Sequence, residues 1–111
     1  MDRKIYLPII CRDLSQKIRI SSILYLQQET RYVRIMTDHG EVVIRGQLAD
    51  VAEGLPASFY ECHSYLMVNC DRVEKMRDGS IFFDDGTCLP VGKGSYAAFR
   101  KRFNAYLRSL A

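Results

Sequence analysis

RYVRIMTDHGEVVIRG, residues 31–46, decides the fold class. RYVRIMT (31–37) and EVVIRG (41–46) are rich in β-branched and aromatic residues and stand on either side of a short turn ending in Gly40. Two such runs split by a glycine-containing turn form a β-hairpin. Just before it, SSILYLQQE (21–29) places Ile23 with Tyr25 on one face and Leu24 with Leu26 on the other. A strand apolar on both faces belongs at the centre of a sheet.

The same reading extends outward. KIYLPII (4–10) is a short strand that Pro8 marks as an edge, Asp13–Ser15 is a turn, and KIRI (17–20) alternates basic and apolar side chains. After the hairpin, Leu48, Val51 and Leu55 fall at helical spacing until Gly54 and Pro56 stop a short helix. RVEKM (72–76), SIFF (80–83) and TCLPV (87–91) are strands separated by turns at Asp78–Gly79 and Asp84–Gly86. Gly92–Lys93–Gly94 reads as a flexible link, with Ser95 as the cap of a final helix. Tyr96, Phe99, Phe103, Tyr106 and Leu110 make one stripe of that helix, to be docked on the sheets. The predicted architecture is mainly β: many short strands, one short central helix and a C-terminal helix.

The chain has 111 residues, 48% hydrophobic and 26% charged, which fits a single globular domain. No stretch has the length or apolarity of a membrane span, and the start does not read as a secretory signal. The four cysteines (11, 62, 70 and 88) show no CxxC spacing and read as reduced thiols of a cytoplasmic protein. Charge is unevenly placed. Residues 92–111 hold five bases and no acid, whereas the remainder holds 11 bases against 13 acids. A basic block on a nearly neutral body favours a polyanionic partner.

Cys62–His63 is the obvious catalytic suspect, but on a strand the two side chains point to opposite faces and cannot pair. Cys62 reads better as a small buried hydrophobe. The cysteines and the two histidines match no metal-ligand spacing, and the DDG at 84–86 is a turn rather than a carboxylate dyad. There is no phosphate-binding P-loop. The sequence therefore predicts no enzyme, no metal, no cofactor and no small-molecule substrate. What remains is polyanion binding, through Arg31, Arg34 and Arg45 on the hairpin and Lys93 in the link, with Gln27, Gln28 and Ser64 as donors suited to base edges; the alternative is that these bases are only a solvated face.

The ordered motifs ILYLQQETRYVRIMTDHGEVVIRGQL, LPASFYECHSYLMVN, DRVEKM and IFFDDGTCLPVGKGSYAAFRKRF resemble the LytTR family of bacterial DNA-binding domains over about residues 16–110. The matching family patterns are a strand I-x-Y-I/L-E, a hairpin Y-V-x-I-x-T-x-x-G, an L-x-x-L short helix, a signature L-P-x-x-F-x-x-x-H-x-S-[YF]-[LI]-V-N and a final G-x-x-L-P-V-S-[RK]. The resemblance implies a mainly β fold of about ten short strands in antiparallel sheets, and major-groove readout by loops between strands, on double-stranded DNA, by a transcription regulator acting in pairs or as a homodimer on repeated half-sites. It places DNA-contacting positions at Arg31 with its neighbour Tyr32, at Ser64 after the signature His63, and at Lys93. Gln28 lies beside the first of these. Residues 1–15 become an N-terminal extension with a short strand, and 16–111 the domain. The chain reads either as a stand-alone regulator or as part of a longer one.

The departures are specific. Ser64 stands where a base or Asn is common, Gly92 replaces a Ser, Gly94 follows where a second base is common, and Glu29 and Glu61 bring acids close by. They imply a different target sequence or weaker binding. They also keep open an alternative: a protein-interaction module of the same fold that has lost specific DNA binding. A redox switch through Cys62 and Cys88 would need their Cα atoms within about 7 Å.

Overall fold

The computed structural model describes residues 5–111; Lys4, included in the first expected strand, lies outside them. A five-stranded antiparallel sheet forms the middle layer, in spatial order β5-β4-β3-β7-β6. Its strands are β3 (Ile23–Glu29), β4 (Tyr32–Thr37), β5 (Gly40–Arg45), β6 (Phe59–His63) and β7 (Leu66–Asn69). One face is covered by the hairpin β1 (Tyr6–Ile10) and β2 (Ser15–Arg19) together with the short helix α1 (Leu48–Ala52). The other is covered by the sheet of β8 (Val73–Arg77), β9 (Ser80–Phe83) and β10 (Cys88–Pro90) with helix α2 (Lys93–Ser109).

The layers enclose two cores. Leu7, Ile9, Ile18 and Ile20 pack on Leu26, Val33, Ile35 and Ile44 on the first face. Val73, Ile81, Phe83, Phe99 and Phe103 pack on Leu24, Tyr25, Leu66 and Val68 on the second. β3 is central, as its apolar run predicts, because it supplies side chains to both. Its simple alternation fails at one point. A β-bulge between Ile23 and Tyr25 shifts the register against β4, so Ile23 joins Leu26 in the first core while Leu24 and Tyr25 share the second. β1 pairs with β2 along its whole length, and its Leu7 and Ile9 are each only 3% exposed.

Two further expectations change at the C-terminal end. The Gly92–Lys93–Gly94 link is not flexible: α2 already starts at Lys93, with Gly92 as the N-cap residue in place of Ser95. The Tyr96 N–H donates to the Gly92 carbonyl at 2.8 Å, so the helix ladder begins there without a side-chain cap. The apolar stripe also stops early. Phe99 and Phe103 are buried and Tyr106 donates to Asp71 Oδ1 at 2.6 Å, but Leu110, just past the helix, is 64% exposed. The sheet beneath α2 ends before that last turn.

Asn69, the last residue of the signature motif, is built into the scaffold. Its Nδ2 donates to the Ile23 carbonyl at 2.8 Å and its Oδ1 accepts from the Asp71 N–H at 3.1 Å. It thereby fixes the 3-10 turn Cys70–Arg72 and joins β7 to the start of β3.

Candidate nucleic-acid interface

Two tight turns lie side by side at one end of the central sheet. Thr30–Arg31 joins β3 to β4 and Ser64–Tyr65 joins β6 to β7. They are neighbours because β3 pairs with β7: the Gln28 N–H donates to the Tyr65 carbonyl at 2.8 Å. The junction from β5 into α1 completes this end, with Tyr32 opposite Arg45 and the Gly46 N–H donating to the Arg31 carbonyl at 2.9 Å. The start of α2 is held beside β6, where the Cys62 thiol meets the Ser95 carbonyl at 3.6 Å. The fold thus brings the Arg31–Tyr32 turn to the His63–Ser64 turn, more than 30 residues away in sequence, and holds the start of α2, with Lys93, next to the strand that ends in His63.

Each is held in a definable way. Arg31 is exposed at the tip of a two-residue turn whose first residue, Thr30, has φ +52°. A β-branched residue rarely adopts that conformation, so the turn stores strain that its surroundings must offset. Tyr32 is 45% exposed. It lines an open cleft with Arg45, Arg12 and Asp13. His63 is turned back on its own loop. Its Nδ1 accepts the Tyr65 N–H at 3.1 Å, which leaves Nε2 to carry the proton and face outward chemistry as a donor. Ser64 is exposed, at a small cleft of about 80 Å³ shared with α1 and Glu61. Lys93 is the first residue of a 17-residue helix with neither a side-chain cap nor an acid in its first turn. Its ammonium therefore adds to the positive end of the helix dipole, an arrangement suited to a phosphate.

Gln28 departs from its expected role. Its Nε2 lies 3.0 Å from the Thr30 carbonyl, 3.1 Å from that of Tyr32 and 3.0 Å from that of Gly46. Its Oε1 accepts the Leu48 N–H at 2.7 Å. Every polar group of the side chain is thus engaged with backbone, and none is left for a base edge.

The electrostatics separate the bases. Arg34 is bound by Glu29 and Glu41, each at 2.9 Å, so it is not a free cation. The same pair explains why Glu29 can sit beside the Arg31 turn, since its charge is matched from within. Among the described residues, Arg31, Arg45 and Lys93 have no carboxylate within 4 Å. Sequence reasoning passed over Tyr65, 60% exposed beside Ser64. An aromatic residue at a two-residue turn was the available signal.

The two buried thiols are unsuited to nucleophilic work. Burial pushes Cys62 up to about 11, and burial with the neighbouring Asp71 pushes Cys70 up to about 12. Both therefore stay protonated near neutrality; Cys62 sits at a register shift of β6 and lies in the core, while the half-buried His63 is bonded to the Tyr65 N–H. Among the described residues no group of three His, Cys, Asp or Glu side chains converges, and no helix is long and apolar enough to cross a membrane.

The class that the fold defines is a mainly β domain with inter-strand turns and unpaired bases exposed at one end of its central sheet. The chain belongs to the LytTR family: the family model described as the LytTr DNA-binding domain matches residues 15–104. The solved LytTr DNA-binding domain of a protein described as a methyl-accepting/DNA response regulator from Bacillus cereus has the same fold. Its TM-score is 0.68 at 20% identity, covering 91% of this chain and 97% of that one. No curated protein matches the chain. The family's members bind DNA in transcription regulators, and the mainly β architecture of ten strands in antiparallel sheets agrees with the fold that the resemblance implied.

Proposed function

We propose that this domain reads a specific double-stranded DNA sequence in the major groove through the Arg31 and Ser64–Tyr65 turns, as part of a bacterial transcription regulator in the cytoplasm. The supporting observation is the meeting at one sheet end of two exposed turns with Arg31 and Arg45, neither paired with an acid, while the start of α2, with the unpaired Lys93, is held beside β6. Arg31 has the bidentate fork that suits a guanine edge, Ser64 and His63 offer hydroxyl and N–H groups, and Tyr32 supplies an exposed ring. Lys93 at the helix start takes a phosphate, which fixes register rather than sequence. One domain of this size offers limited contact area, so two copies act on repeated half-sites and gain affinity through effective concentration.

The test is fluorescence-anisotropy binding, at several salt concentrations, to a duplex selected from a random library and to a scrambled control. A preference of about 10³-fold or more with a steep log–log salt slope is the expected result. Equal, weak, salt-sensitive binding to both would reduce the bases to a sticky surface. Selection yielding no enriched motif would favour the protein-interaction alternative, for which the exposed Leu107 and Leu110 at the end of α2 offer an apolar contact.

A further inference from the structure

We infer that Gln28 is a positioning residue for DNA reading, an uncharged clamp whose side chain fixes the Arg31 turn and the β5–α1 junction relative to one another, on a strand that its backbone joins to the Ser64–Tyr65 turn. The inference rests on the DNA-binding reading above. Three observations carry it. Gln28 reaches all three segments: through its side chain to Thr30, Tyr32, Gly46 and Leu48, and through its backbone N–H to the Tyr65 carbonyl. It supplies a cap that local sequence does not. Gln47, the N-cap residue of α1, makes no side-chain cap bond, and the orphan Leu48 N–H is satisfied by Gln28 from 20 residues away. It also braces the strained Thr30, whose carbonyl it binds next to Arg31.

The chemistry asks for this side chain. The clamp needs a donor for three carbonyls and an acceptor for one N–H at the same point. Lys and Arg have no acceptor, ionised Glu has no donor, and Asn is one methylene shorter. A neutral amide also adds no acid where a polyanion docks, and no extra cation whose pairing with the phosphates would pull the clamp apart.

The experiment uses the full chain with Gln28→Met, Arg31→Ala and the double variant. Amide hydrogen exchange without DNA comes first. The Gly46 and Leu48 amides should exchange at least about tenfold faster in Gln28→Met, with core strands such as β3 and β7 unchanged, as expected of local rather than global opening. Anisotropy on the selected duplex comes second. Gln28→Met should weaken specific binding by about tenfold, leave the scrambled duplex within about twofold, and cost nothing further on top of Arg31→Ala, because residues acting as a unit are non-additive. A merely structural loss would add to Arg31→Ala and weaken both duplexes alike. Additivity, unchanged exchange or unchanged affinity would each overturn the inference. If Gln28→Met does not fold, Gln28→Glu takes its place: Leu48 keeps its acceptor and stays protected, the Gly46 amide should still exchange faster, and the loss on the selected duplex should still exceed the loss that the added charge causes on the scrambled one. If the wild-type chain shows no sequence preference, the DNA-reading role falls, while exchange still reports whether the clamp itself exists.

Discussion

The two ends of the central sheet are closed by different chemistry. At the Arg31 end the hub is Gln28, a neutral amide bonded to backbone on three segments. At the far end the hub is Arg72, 17% exposed, which donates to Asp84 (2.8–3.1 Å), to Asp38 at 2.9 Å and to the Ser21 carbonyl at 2.7 Å. Arg72 thereby ties the β4–β5 turn, the β9–β10 turn and the 3-10 turn ahead of β3. Both hubs solve the same problem of fixing loops that have little core of their own. Only the far end can solve it with acids, because carboxylates at the other would repel the polyanion proposed to dock there. Where an acid does lie near the Arg31 turn, at Glu29, Arg34 neutralises it.

The largest expected effect should strike both ends alike. Phe99→Ala removes a fully buried ring that seats α2 on the second core and should cost about 3–5 kcal/mol, read by denaturant unfolding. Loss of Lys93's position should accompany it, since Lys93 begins the same helix.

Arg72→Ala should separate the ends. Stability should fall by about 2 kcal/mol as a carbonyl and two partly exposed carboxylates lose their charged donor, a drop of roughly 8 °C in Tm, with the DNA preference ratio unchanged. A changed ratio would show that the ends are coupled. The same hub sets an acid limit. Burial raises the Asp38 carboxyl, but hydrogen bonds from Arg72 and His39 outweigh it and hold it below the usual carboxylate range. A depressed folded pKa contributes stability that is present above the unfolded value, about 4, and is lost as pH falls through the folded one. Acid unfolding below about pH 4 should therefore be less steep in Arg72→Ala than in the wild type.

At the other end, Arg31→Ala and Lys93→Ala should differ from each other. Arg31→Ala should cost about 1–3 kcal/mol on the selected duplex and relax preference at one base pair; Lys93→Ala should weaken all duplexes and lower the salt slope by about one. Identical salt slopes for Lys93→Ala and wild type would remove its phosphate contact. The smallest effect belongs to Arg34→Ala. Its surface pairs should matter little for stability, but freeing Glu29 should weaken DNA binding about threefold at low salt, and the defect should fade as salt rises.

Much of the architecture was legible because it is local. The hairpin over 31–46, the central apolar β3, the DG and DDG turns and the stripe through Phe99 and Phe103 all follow from side-chain period and turn chemistry. The start of α2 was misread because the glycines of GKG suggest freedom, while a helix beginning at Lys93 needs only the Gly92 carbonyl as its first acceptor. The bulge in β3 was hidden for a related reason: it depends on the pairing with β4, which no single strand encodes.

The candidate site was half legible. The motifs singled out Arg31, Tyr32, His63, Ser64 and Lys93, and with them the family and the fold class. Whether those residues meet, and what each is free to do, was decided by tertiary structure. In sequence Gln28 and Arg34 are a donor and a base like any other. In the fold one is consumed by four backbone contacts and the other by two glutamates. Period and spacing report which face a side chain takes, whereas the partner that satisfies or cancels it comes from strands distant in the chain.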